Sequence, residues 1–203
     1  MNRPGKIVCV GRNYLGHAKE LGNEMPKGPL LFLKPPSSVI GMNDAIVLPV
    51  QSGQVEFEGE IGICIGKKIF RASEEEARGA IAGICAVNDV TARDLQKADG
   101  QWTRAKGFDT FCPIGAIASP PADLDSLTVV TRVNGVERQR GVAADMAFHI
   151  PMLLAYITTV MTLEPGDLIA TGTPAGVGRL LPGDVVAVEV VGLSTIVNLV
   201  SAG

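Results

Sequence analysis

The chain reads as an α+β fold in which strands dominate. Short β-branched and apolar runs recur from Lys6 to Val191, and Asn134-Gly135 between two alternating segments is a strong type I′ hairpin signal. The few helical stretches do not alternate with the strands, which argues against a doubly wound parallel sheet and for a mixed, mostly antiparallel core.

In chain order, Lys6 to Val10 predicts a strand, and Asn13 to Gly22 a helix or helical loop carrying His17 and Glu20. Leu30 to Lys34 predicts a second strand, stopped by Pro35-Pro36. Val55 to Gly66 predicts a longer one. Ser73-Glu74-Glu75-Glu76 is a capping box, so a helix is expected from there to about Ala82, followed by a buried strand from Ile84 to Asn88. Thr91 to Lys106 is polar around Trp102. Leu127 to Val142 predicts the hairpin. Pro151 opens a helix over Met152 to Met161, and Pro-Gly-Asp turns at Pro165 and Pro182 precede strands Leu168 to Ala170 and Val185 to Val191.

The 203 residues, 46% hydrophobic, suffice for one substantial core, so residues 1–203 are expected to form a single domain. A net charge of -3, without a Lys/Arg run, offers no field for nucleic acid. No apolar segment approaches the ~18 residues needed to span a bilayer, and the N-terminus has no signal-peptide pattern. Cys9, Cys64, Cys85 and Cys112 are far apart and mostly in apolar runs, which fits buried reduced thiols in a cytoplasmic protein. Two histidines, His17 and His149, make a histidine-rich zinc site improbable, and His149 beside Pro151 reads as structural.

Glu58-Gly59-Glu60, with Asp89 at the end of the next apolar run, is an electrostatic problem. Side chains two residues apart on a strand share a face. Two negative charges ~5 Å apart at an effective dielectric of ~20 repel by ~3 kcal/mol, so a cation is required between them. Spacing alone does not distinguish a hard metal ion from lysines, and a solvated face paired with Lys67 and Lys68 is the simpler reading. Glu56 falls on the same face. His17 and Glu20, three apart, would meet on a helix, where a carboxylate can orient an imidazole for proton transfer or simply form a surface pair. Thr171 to Gly178 follows a strand with glycines that let backbone N–H groups approach an anion, or forms an ordinary turn. A lone lysine such as Lys106 is usually solvated.

Taken together and in order, these segments resemble the fumarylacetoacetate hydrolase family, in its short acylpyruvate hydrolase and oxaloacetate decarboxylase branch. The motifs are Gly11-Arg12-Asn13-Tyr14 with His17 and Glu20, Leu31 to Pro35, Glu58-Gly59-Glu60, Asn88 to Asp94, Trp102 to Lys106, and Thr171 to Pro174 with Gly176-Val177-Gly178. The resemblance implies a mixed β-roll or sandwich with peripheral helices, and a homodimer. It implies metal ligation by Glu58, Glu60 and Asp89, with Glu56 outside the pattern. The metal would be Mg²⁺ or Mn²⁺, Ca²⁺ being admissible with looser geometry. It implies His17 and Glu20 as a water-activating pair on a lid, Lys106 facing the reacting carbonyl or enolate, Gln96 and Thr173 lining the substrate pocket, and Arg12, Tyr14, Lys34 and Arg93 as supports.

The activity so implied is carbon–carbon hydrolysis of acylpyruvates such as acetylpyruvate or fumarylpyruvate, through a pyruvate enolate. Oxaloacetate decarboxylation, or isomerisation or decarboxylation of 2-oxo acids from aromatic catabolism, uses the same site. A non-enzymatic metal- or nucleotide-binding protein is the competitor from another class, and His17, Glu20 and Lys106 count against it.

Overall fold

A computed structural model describes residues 3–20 and 26–203. Strands dominate the architecture. One five-stranded sheet runs in the order Leu30–Lys34, Ile7–Gly11, Leu168–Ala170, Gly59–Ile65, Ile81–Asn88. A second runs Val136–Val142, Thr128–Val133, Val185–Val190, Ser194–Ala202, Ile46–Leu48. Val55–Phe57 is central in a three-stranded sheet with Gly178–Arg179 and Thr91–Ala92, and Val39–Ile40 pairs with Cys112–Pro113. Three ladders are parallel and the others antiparallel, as the mixed, mostly antiparallel expectation requires.

Strand periodicity explains the core. Val8 and Val10 join Ile61, Ile63 and Ile84 on one face of the first sheet, where they pack against Val129, Val188 and Ile196 of the second. The helix Ile150–Val160, with Pro151 in its first turn, adds Leu153, Leu154 and Ile157 to this cluster. Ile7 and Cys9 face the other way and meet Cys85, Val87 and Cys112. The first strand is therefore buried on both faces, which is why it reads as a continuous apolar run. All four cysteines are buried and unbridged, with Cys64 Sγ 3.9 Å from Cys85 Sγ.

Several boundaries differ from the sequence reading. The capping box forms, since Glu76 N donates to Ser73 Oγ and Ser73 N to Glu76 Oε2, but the helix ends at Gly79 and the next strand begins at Ile81. The hairpin turns at Asn134 and Gly135 with φ of 53° and 78°. The helix Leu15–Glu20 carries His17 and Glu20, and the expected extension to Leu21 and Gly22 lies outside the described residues. The predicted strand Val55 to Gly66 is two strands, broken at Glu58.

That break positions the site. Gly59 pairs with Asn88 in the first sheet, while Val55 pairs with Ala92 in the small sheet. Two adjacent chain segments thus turn the same corner together, with Glu58 on one and Asp89 on the other. Asp89 N donates to the Glu58 carbonyl across it at 2.8 Å. Gly59 is required here, because a Cβ at this position would lie 1.9 Å from Thr131 Oγ1. Among the described residues no helix is long and apolar enough to cross a membrane.

Candidate metal centre and its cavity

Glu58, Glu60 and Asp89 converge at the corner, with one carboxylate oxygen from each within 4.8 Å of the others. All three are at least 95% buried. The cations near them are not Lys67 and Lys68, which are exposed, Lys68 pairing instead with Glu164. They come from segments remote in sequence. Lys106 Nζ donates to Glu58 Oε2 at 2.7 Å and to Asp89 Oδ2 at 2.5 Å. Lys34 Nζ donates to Asp89 Oδ1 at 2.7 Å. Arg93 Nη2 donates to Glu58 Oε1 at 2.5 Å, its Nε to Glu56 Oε2 at 2.8 Å, and its Nη1 to Gln96 Oε1 at 2.6 Å.

Glu60 is the exception. Among the described residues it has no ion-pair partner, and its Oε2 accepts only the Gly172 backbone N–H, at 2.7 Å. Burial, then Asp89 and Glu58, push its carboxyl well above the ordinary range. Burial would also raise Glu58, but Lys106 and Arg93 outweigh it and hold that carboxyl well below the usual range. The same balance holds Lys106 protonated: burial opposes its charge, while Asp89 and Glu58 more than compensate. Four buried carboxylates, Glu56 included, face three cations, so with all four ionised one negative charge is uncompensated, and it falls on Glu60, whose raised carboxyl reflects that excess. An all-oxygen donor set with unmet negative charge fits a hard divalent cation. The buried triad could hold one.

The cavity above the triad encloses about 50 Å³ and is lined by Arg12, His17, Phe32, Arg93, Gln96, Trp102, Lys106 and Thr173 besides the three acids. His17 is 96% buried, and its Nδ1 lies 3.3 Å from Glu20 Oε2. Gly176 N donates to Glu20, tying the helix Leu15–Glu20 to the loop after Leu168–Ala170. That loop thus uses two backbone N–H groups, of Gly172 and Gly176, on the protein's own carboxylates. Thr173 Oγ1 donates to the Gly59 carbonyl at 2.9 Å and accepts from Gln139 Nε2 at 2.7 Å. Lys106 Nζ sits 5.0 Å over the Phe32 ring, and Phe32 meets Trp102 edge-on. Arg12 holds a left-handed φ of 58°, directly after Gly11, whose missing side chain admits the Trp102 ring.

Two expected residues lie elsewhere. Tyr14 is in the main apolar core rather than on the cavity wall, and burial followed by Glu60 and Asp145 raises its phenol. Lys34 is behind Asp89 and reaches the site only through it. His149, read as structural, occupies the N-cap position of the helix Ile150–Val160 at the surface, without a side-chain cap bond and 3.7 Å from Asp125. Sequence reading missed Gln139, whose Oε1 accepts from Gly59 N and whose Nε2 holds Thr173. A register shift beside Thr131 turns it inward, and nothing in the polar run Glu137 to Arg140 announces that bulge. Glu56 is also bound into the network.

A mostly-β chain with a buried acidic triad fitted to a divalent cation is the class that fold and site define. The family model for the fumarylacetoacetate (FAA) hydrolase C-terminal region matches residues 6–201, and the chain belongs to that family of enzymes. It is 45% identical over 198 residues, 94% of this chain and 88% of the relative, to a mitochondrial oxaloacetate tautomerase of Arabidopsis thaliana. It is 44% identical over 197 residues to a mitochondrial oxaloacetate decarboxylase of Dictyostelium discoideum, covering 94% of this chain and 90% of that one. The crystal structure of a 2-hydroxyhepta-2,4-diene-1,7-dioate isomerase from Mycobacterium marinum matches with a TM-score of 0.90 at 43% identity, over 98% of this chain and 75% of that one.

Proposed function

We propose that this chain is a Mg²⁺- or Mn²⁺-dependent enzyme acting on oxaloacetate-type 2-oxo acids by moving a proton, or carbon dioxide, at the carbon next to the 2-oxo group. The carrying observation is the buried triad with Glu60 left without a cation, in one cavity with Lys106, Arg12 and His17. The relatives' names support the choice of substrate. The enol of oxaloacetate and 2-hydroxyhepta-2,4-diene-1,7-dioate share a 2-hydroxy-2-enoate head, so both can rearrange by moving the enol proton to carbon.

A divalent cation held by Glu58, Glu60 and Asp89 would supply Lewis-acid polarisation and orientation of the 2-oxo acid head. The chain's own residues do the rest. Lys106 provides a fixed positive charge for the oxygen that becomes negative as the enolate forms. Arg12, Gln96 and Thr173 orient the substrate from the wall. His17, oriented by Glu20, gives or takes the proton. Decarboxylation of oxaloacetate needs the same charge stabilisation and no water.

Hydrolysis of acylpyruvates, the first expectation from sequence, is the second reading, and the His17–Glu20 contact favours it, because such a pair can activate water. A single domain, a homodimer and a cytoplasmic location complete the proposal. The test is a panel of enol-oxaloacetate, oxaloacetate, acetylpyruvate and fumarylpyruvate, each followed by ultraviolet absorbance with Mg²⁺ and with EDTA. Metal-dependent turnover fastest on oxaloacetate or its enol is expected. Faster turnover of an acylpyruvate would install the second reading, and no metal-dependent turnover of any would remove both.

A further inference from the structure

We infer that Glu56, which is outside the triad, is a positioning residue that sets how tightly the triad binds its cation, acting through Arg93. Arg93 is 97% buried and divides its guanidinium between three acceptors. Nε goes to Glu56 Oε2 at 2.8 Å, Nη2 to Glu58 Oε1 at 2.5 Å and Nη1 to Gln96 Oε1 at 2.6 Å. Glu56 is itself fixed from the other side, its Oε1 accepting from Gln54 Nε2 at 2.6 Å. Its backbone is also pinned, in register with Arg179 on one side and Thr91 on the other.

Charge balance gives this arrangement its consequence. In the ionised form that a cation binds, Glu58, Glu60 and Asp89 alone would be neutralised by Lys34, Lys106 and Arg93, three against three. A neutral cluster has no deficit for a cation to fill. Glu56 takes a share of Arg93 and restores one negative charge to the cluster, without offering an oxygen to the cation. Without that counter-charge, Glu58 would be the one carboxylate left to Arg93, which would compete with the cation for it. Both effects weaken cation binding. The third arm of the guanidinium adds a link to Gln96 on the cavity wall, so loss of Glu56 also loosens a residue facing the substrate.

The inference rests on the divalent-cation reading of the triad, and calorimetric titration of the whole chain with Mn²⁺ separates the two. Wild-type protein that takes up no Mn²⁺ overturns that reading and this inference with it. If wild type binds, Glu56→Gln should raise the Mn²⁺ dissociation constant about tenfold, equivalent to about 1.4 kcal/mol, and Glu56→Asp should fall between. Should Glu56→Gln fail to fold, as judged by circular dichroism, Glu56→Asp alone carries the test with a smaller shift in the same direction. Adding Glu56→Gln to Arg93→Gln should change the affinity less than Glu56→Gln does alone, since the part that runs through Arg93 is already gone. Unchanged Mn²⁺ affinity in the folded single variants overturns the inference. Full additivity in the double variant overturns the route through Arg93.

Discussion

The floor and the cover of the cavity are built differently. The floor is strand-based: Glu58, Glu60 and Asp89 lie where two adjacent segments turn a sheet corner, all buried and, Glu60 apart, tied to cationic side chains. The cover is the six-residue helix Leu15–Glu20, with Leu15 half exposed and Glu20 exposed. It is joined to the loop opposite by the Gly176 N–H on Glu20, and His17 reaches Glu20 at 3.3 Å. Cation binding is assigned to the floor and proton movement to the cover. The two roles should therefore come apart under mutation.

Glu60→Ala attacks the floor at its least compensated carboxylate and should abolish the heat of Mn²⁺ binding while the fold survives. Wild-type affinity in that variant would mean the ligands are wrongly assigned. His17→Ala attacks the cover. It should leave Mn²⁺ affinity unchanged and lower turnover by roughly 10²–10⁴-fold, the usual range for a lost acid–base group. A loss of metal affinity there would erase the distinction. Acylpyruvate hydrolysis should suffer more in that variant than oxaloacetate decarboxylation, and equal losses would reduce His17 to shaping the lid.

Gly59→Ala probes the rigidity of the floor. A Cβ 1.9 Å from Thr131 Oγ1 and 3.2 Å from Val188 Cγ1 forces the corner to shift, at a cost of about 1–3 kcal/mol read from denaturant unfolding. An unchanged midpoint would show that the corner yields. Ser73→Ala, remote from both regions, should cost about 1 kcal/mol through the lost capping box and leave metal affinity and turnover alone.

Local signals in the sequence carried over well. The Asn134-Gly135 turn, the Ser73 cap and the runs at Leu30 and Leu168 depend on neighbours a few residues away, and they stand as read, apart from the shorter helix after Ser73. What failed to show depends on distance. Lys34 and Lys106 reach Asp89 across 55 and 17 residues, so no spacing rule selects them over the nearby Lys67 and Lys68. The strand break at Glu58 follows from a sheet corner, which apolar periodicity does not encode. Gln139 is turned inward by a bulge. The triad was legible through the ordered family motifs and not through spacing, which left lysines and a metal ion undistinguished; that Glu60 lacks a cationic partner is visible only once the chain is folded.

The most direct measurement is turnover of enol-oxaloacetate by metal-stripped protein as Mg²⁺ is added back, with binding followed in parallel by calorimetry. Activity absent in EDTA and rising in proportion to metal occupancy is the predicted result. Turnover that persists in EDTA, or stays at zero with the triad saturated, would contradict the account.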